Sequence, residues 1–299
     1  MKKIFIFLFA ILTTNLALSQ INVVSIEKVN LPEKVYSYQM KFSSDGKQLY
    51  FSNSSFDGIW RYNIDKKTTQ QITKDNFSGF GFDINRTGDK IAYRRTISNG
   101  LNRRQEVVEK NLVDNSTSLL QSAQNISTPI YYGEKVISSK NINDLPGVMV
   151  EDNIRMLGIE NTKIAIIKNG KKEILDPLGN GSYIWPSISP DGKTILAVDM
   201  TQGAFLCTID GKVTQILGRR NAPSFTHDGK WIVYMLDKDD GHRIISSNIY
   251  AVSVDGKTTV QLTNDANINI NPVCSINENK VAFSTIDGNL FILSYEETK

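Results

Sequence analysis

The sequence predicts an all-β fold, a six-bladed β-propeller of four-stranded antiparallel blades whose ring is closed by the N-terminal strand. Three observations predict it: one hairpin pattern recurs along the chain, its copies are spaced by the length of a blade, and further strand-like runs follow each copy. The clearest copy is residues 185–198, WPSISPDGKTILAV. Apolar and polar residues alternate up to Ser189, Pro190-Asp191-Gly192-Lys193 makes a tight turn, and a second β-rich run follows,. Such a hairpin exposes a face and an edge, so it needs similar neighbours to be stable.

The neighbours come in order. Residues 41–52 (KFSSDGKQLYFS) and 83–94 (DINRTGDKIAYR) are the first two copies, and a degenerate one, PIYYGEKVISS, occupies 129–139. Copies four to six are residues 185–198, 224–235 (SFTHDGKWIVYM) and 274–285 (CSINENKVAFST). Between the turn markers Gly46, Gly88, Gly133, Gly192, Gly229 and Glu278 the intervals are 42, 45, 59, 37 and 49 residues. Their mean, about 46, is one four-stranded blade with its loops. Third strands are predicted at residues 59–65, 204–210 and 248–256, and fourth strands at 70–73, 214–217 and 260–263.

The composite pattern Pro-x-x-Ser-Pro-Asp-Gly-Lys, a strand, Ile/Leu-Tyr before a Gly, then Gln-x-Leu-Thr resembles the TolB-like β-propeller repeat. Copies one, four and five carry it well. Copy two has Thr87-Gly88-Asp89, copy six has Asn277-Glu278-Asn279, and copy three departs most. The resemblance implies an exported bacterial protein, a non-catalytic binding module of a family associated with protein–protein contacts, including the Tol envelope system. TolB proteins carry an α/β domain ahead of the propeller; here about 20 residues separate the expected leader from the first hairpin, so membership of the Tol system stays open.

Lys2 and Lys3 precede an apolar run at residues 4–12, and Ala17-Leu18-Ser19 supplies small residues before a cleavage point,. We therefore expect a signal peptide over residues 1–19 and a single propeller domain over 20–299. The apolar run is shorter than the ~20 residues a membrane span needs, and no Cys near the site suggests lipid attachment. Localisation is expected to be periplasmic or secreted, with no stable span after cleavage. The strand-like INVVSIEK, residues 21–28, belongs to no blade of its own, while the last blade lacks an outer strand; the first can supply the second. Of the 34 Lys and Arg two lie in the leader, leaving 32 against 31 Asp and Glu. That near-neutral balance supplies no field for non-specific nucleic-acid binding. A monomer is expected.

In antiparallel blades the hairpin turns and the third-to-fourth connections share one face. The other face collects the second-to-third connections and the links between blades, which include residues 98–104, 141–161, 237–247 and 219–221. Variable loops on a rigid scaffold carry recognition, so the candidate binding residues are Arg103, Arg104, Trp185, Arg219, Arg220, Asn221 and His242. The arginine fork suits carboxylates; the competing reading pairs these arginines with the acidic run Asp237, Asp239 and Asp240. That run is also the one candidate for a metal, Ca²⁺, but Gly241 comes one residue early for a calcium loop and Asn248 stands where Glu is needed. No cofactor is expected otherwise. His227 is read as a solvated turn residue. Cys207 and Cys274, in blades four and six, are read as separate buried thiols.

No Gly-x-Ser-x-Gly elbow is present, and no catalytic residue is assigned. The leading function is an exported, non-catalytic binding module recognising a protein partner of the cell envelope, or another ligand, through the loop-rich face and channel mouth. A metal-assisted lyase or lactonase at the channel mouth and a carbohydrate or peptide sensor are the alternatives, because a propeller hosts many functions.

Overall fold

The structure, a computed structural model, describes residues 20–32, 37–100, 102–138 and 154–298. The expected leader and the greater part of the 141–161 insertion lie outside the described residues. Blade one is β2 (Tyr38–Phe42), β3 (Gln48–Ser52), β4 (Ile59–Asn63) and β5 (Thr68–Thr73); blade two is β6 (Phe82–Ile84), β7 (Lys90–Asn99), β8 (Asn102–Asn111) and β9 (Thr117–Ala123). Blade four is β15 (Tyr183–Ile188), β16 (Thr194–Asp199), β17 (Gly203–Thr208) and β18 (Val213–Gly218). Blade five is β19 (Asn221–Phe225), β20 (Trp231–Asp239), β21 (Ile244–Ser253) and β22 (Thr259–Gln261). Each is a four-stranded sheet in sequential antiparallel order, as expected.

Blade six contributes β23 (Asn269–Cys274), β24 (Lys280–Thr285) and β25 (Leu290–Thr298), and β1 (Gln20–Val29) completes it from the other end of the chain. β1 pairs antiparallel with β25, with Val23 opposite Tyr295, Ser25 opposite Ser294 and Glu27 opposite Ile292. The predicted closure is therefore the observed one. Among the described residues, blade three departs from the pattern. Its hairpin, β10 (Ile130–Tyr132) and β11 (Lys135–Ile137), forms one small sheet, and β12 (Ile154–Glu160), β13 (Lys163–Lys168) and β14 (Lys171–Leu175) form another. The two halves pack through Tyr132, Ile137, Ile167 and Leu157. The long 59-residue interval has room for this extra strand, where the others do not.

Two local devices repeat around the ring. The first is the turn. Ser189 Oγ donates to Asp191 Oδ1 at 2.6 Å, and the same carboxylate accepts the Lys193 N–H at 3.1 Å. Ser189 Oγ in turn accepts the Thr194 N–H at 2.9 Å. Gly192 takes φ +71°, a left-handed value glycine adopts without a Cβ clash,. Ser43 with Asp45, Thr226 with Asp228 and Ser253 with Asp255 repeat the arrangement. The second device is a bulge in the innermost strand. Gln39, Trp185, Ala222 and Asn271 sit at φ +47°, +50°, +45° and +54°, each at a break in register with the second strand. Proline follows three of them, which explains the Pro of the repeat: a bulge is where a residue without an N–H disturbs no ladder.

The blades pack face to face, and an apolar cluster fills every blade-to-blade junction. Tyr50, Ile59, Ile91 and Tyr93 join blades one and two. Leu206, Val198, Ile232 and Tyr234 join four and five. Cys207 and Cys274 are both free and buried, as read from the sequence.

The turn carboxyls give the fold a pH signature. The hydroxyl and N–H donors of Ser253 and Lys257 hold Asp255 down to about 2, and Ser189 leads the set that lowers Asp191. Burial works the other way at Asp228, but the donors from Lys230 and Thr226 outweigh it. These carboxyls titrate lower when folded than the ~3.9 of an unfolded Asp, so their stabilisation is complete above about pH 4 and is lost as pH falls toward about 2. Urea unfolding followed across that window should show stability falling with acid, and Ser189→Ala should cost about 1 kcal/mol at neutral pH. A flat profile through the window would contradict the turn account.

Candidate functional site

Side chains alternate along each first strand, and both sets border a central cavity while one of them also fills the junctions. Phe42, Ile84, Phe225 and Cys274 join the apolar clusters between blades. One residue earlier stand Lys41, Asp83, Ser187, Ser224 and Val273, and these line the central cavity with Tyr131 of blade three. The cavity measures about 1620 Å³ and is bounded further by the hairpin turns, including Ser44, Arg86, Gly133, Pro190, His227 and Asn277. It therefore lies toward the turn-bearing end of the ring, not among the long loops on which recognition was expected.

Its walls are unlike. Lys41, Asp45, Asp83, Arg86, Glu134, Lys135 and Arg155, all from blades one to three, are its charged side chains among the described residues. Blades four to six present Ser187, Ile188, Ser224, Thr226, Val273, Ile276 and Asn277, with the titratable His227. A charged crescent thus faces a neutral one. At the centre of the charged side is Asp83, whose side chain is 4% exposed. It forms an ion pair with Lys41 Nζ, accepts the Tyr131 N–H at 2.7 Å, and lies 3.7 Å from the Arg155 guanidinium. Arg155 Nε also donates to the Tyr131 carbonyl at 3.1 Å. One carboxylate therefore fastens blades one, two and three where their first strands meet.

The groups that resemble catalytic ones are otherwise engaged. Burial pushes the Cys274 thiol up to about 12, so it stays protonated,. His227 is not merely solvated: its Nε2 bonds Asn279 Oδ1 at 2.7 Å, linking the turns of blades five and six. Among the described residues no three His, Cys, Asp or Glu side chains group closely enough to hold a metal ion.

The residues named from the sequence lie on the loop-bearing face and fall into separate places. Arg219, in the link between blades four and five, bonds Asp237 at 3.3 Å and lies 3.6 Å from Asp239, and Asn221 donates to Asp237 at 2.6 Å. Arg220 lies over the Tyr234 ring at 5.2 Å. Asp240 caps its own loop by accepting the N–H groups of His242 and Arg243, so the three aspartates do not converge. Trp185 is 41% exposed at its bulge in blade four. Arg103 and Arg104 stand across the ring on β8, and Arg103 lies over the Phe77 ring at 5.3 Å. None of these residues borders the cavity.

The sequence held a signal for the cavity that was not used. Aligning the turns places Lys41, Asp83, Ser187, Ser224 and Val273 in one column, and its mixed chemistry beside a uniformly apolar column marks the side facing the axis,. Arg155 had no such marker.

No family model matches the sequence, and no curated protein sequence matches it. Solved structures do share the fold. TolB from Acinetobacter baumannii matches with TM-score 0.57 and 16% identity over 82% of this chain. The match spans 58% of TolB, so this chain corresponds to little more than half of that protein. The Cps50 (Swd1) β-propeller domain from Myceliophteria thermophila matches with TM-score 0.60 and 10% identity, covering 90% of this chain and 99% of that one. An oligogalacturonate lyase from Vibrio parahaemolyticus matches with TM-score 0.53 and 11% identity over 89% and 79% of the two chains. The expected propeller is thus the fold, and likeness at these identities carries over no site residue.

Removing the Asp83 carboxylate leaves Lys41 and Arg155 facing each other and the Tyr131 N–H without an acceptor. Asp83→Ala should cost about 1–3 kcal/mol in chemical denaturation, while Asp83→Asn, whose amide oxygen still accepts from Tyr131, should cost less. Equal losses for the two would show that the backbone contact contributes nothing.

Proposed function

We propose that the protein is an exported, non-catalytic binding module of the cell envelope, periplasmic or secreted, that takes an extended segment of a protein partner into its central cavity. The single observation that carries this is the two-sided cavity. At about 1620 Å³ it exceeds the ~300–1,000 Å³ of small-molecule pockets,. Its charged crescent offers cations of Lys41, Arg86, Lys135 and Arg155 with carboxylates among them, and its opposite crescent offers hydroxyls and Ile276. A peptide, with alternating backbone polarity and side chains of either kind, fits such walls better than a uniformly charged or uniformly apolar ligand. The pairing of Asp83, the bond between His227 and Asn279, and the protonated Cys274 support a holding role over an acid–base one. Among the described residues no helix is long and apolar enough to cross a membrane.

A photo-cross-linking side chain placed at Ile276 on the cavity rim, 58% exposed, should capture a discrete partner in native envelope extracts. The same group at Met200, 65% exposed in the β16–β17 connection on the opposite face, should not. Ser187→Trp, which fills the cavity from its neutral wall, should abolish the adduct without lowering the melting temperature. Capture at Met200 alone, or cleavage of oligogalacturonate by the purified chain, would overturn the reading.

A further inference from the structure

The loop-bearing face of blades one and two carries a feature that neither the packing nor the cavity uses. The β3–β4 connection and the link from blade one to blade two hold Phe56, Phe77 and Phe80 in a mutual cluster. Phe56 and Phe80 meet edge to face at 5.4 Å, and Phe77 lies 6.3 and 6.2 Å from the other two. Phe77 and Phe80 are 37% and 44% exposed. Bulky residues rarely adopt left-handed backbone, yet Phe56 and Phe77 both sit at φ +60°,.

The loops beneath are pinned. Gly79 N–H donates to the Phe56 carbonyl at 2.9 Å, Phe77 N–H to Asp57 Oδ1 at 2.8 Å, and Gly58 N–H to the Asp75 carbonyl at 3.0 Å. A Cβ on Gly79 would fall 1.7 Å from Ser52 Oγ, so the link has no room to shift. The chain thus holds strained backbone in order to present apolar rings to solvent.

Two cations lie on those rings. Arg94 is 5.2 Å above Phe80, and Arg103 is 5.3 Å above Phe77. Arg94 also donates to the Ile126 carbonyl at 2.7 Å. Burial, joined by the nearby charge of Arg103, lowers the Arg94 pKa. Neither guanidinium forms an ion pair with a carboxylate among the described residues. Asp57 accepts the Phe77 N–H, and Asp75 accepts from Tyr93 and Arg95. Two adjoining cations without a counter-charge, on exposed aromatic faces, want an anion with apolar flanks.

We propose that this platform is a docking site for an acidic segment of a protein partner, one carboxylate between Arg94 and Arg103 and its apolar neighbours on Phe77 and Phe80. An anionic membrane fits less well, because Asp57 and Asp75 border the patch and Arg94 is half-buried. The inference is independent of the cavity reading and fails separately from it.

The test is selection of a displayed random-peptide library on the full chain. Enriched peptides should carry Asp or Glu beside large apolar residues, and Arg103→Ala and Phe77→Gly should each weaken them by about tenfold or more. Because glycine adopts φ +60° freely, Phe77→Gly should melt at or above the parent temperature while losing the peptide. The proposal is overturned if no peptide is enriched, if enriched peptides lack carboxylates or ignore both substitutions, or if Phe77→Gly lowers the melting temperature sharply. It is equally overturned if Arg103-dependent binding is found instead for phosphatidylglycerol vesicles or oligogalacturonate, or as self-association in sedimentation.

Discussion

Everything in this molecule depends on the antiparallel pairing of β1 with β25. A propeller blade packs both of its faces on neighbours, so the ring is stable as a ring and not as a row. The two chain ends must therefore meet, and here they meet within one sheet. Ile21, fully buried, enters the cluster shared by blades five and six, and Val29, 3% exposed, enters the one shared by blades six and one. Each such side chain contributes about 1.5–3 kcal/mol by burial, but its larger effect is topological.

Closure divides the work between the two faces. On one, the Ser/Thr–Asp–Gly turns of blades one, four and five repeat the same hydrogen bonds, and the cavity lies inside the turn-bearing ends of the first strands. On the other, connections differ in length and content, and the exposed aromatic and arginine side chains collect there. The bulges at Gln39, Trp185, Ala222 and Asn271 lie between these regimes. They twist four of the first strands so that Lys41, Ser187, Ser224 and Val273 turn to the axis, while Asp83 takes the same position on β6 without a bulge. Regular turns make the container, and irregular loops make the second surface.

The fold was legible because its determinants are local: alternation of period two, Asp-Gly turns that admit φ > 0, and a count of strands that left the last blade one short. What was less legible depends on contacts between distant repeats. The two sheets of blade three are joined by the packing of Tyr132, Ile137 and Ile167, which no spacing announces. Asp83 looks like any polar residue in a strand until Lys41, Tyr131 and Arg155 are brought to it from three other strands. The arginines at 219 and 220 were open to either docking or pairing; Arg219 spends its charge on Asp237 and Asp239. Arg103 stands out by its charge, whereas Phe56, Phe77 and Phe80 carry no such marker, because a sequence does not say which apolar loop residues stay in water.

The claim on which the rest stands is that β1 closes the ring, and it is tested by comparing the equilibrium unfolding of a chain begun at Gln20 with one begun at Asn30. The account predicts one cooperative transition and a monomer for the first, and for the second a loss of cooperativity with association through the uncovered β25 edge. An Asn30 chain that stays monomeric and unfolds at the same urea concentration would contradict it.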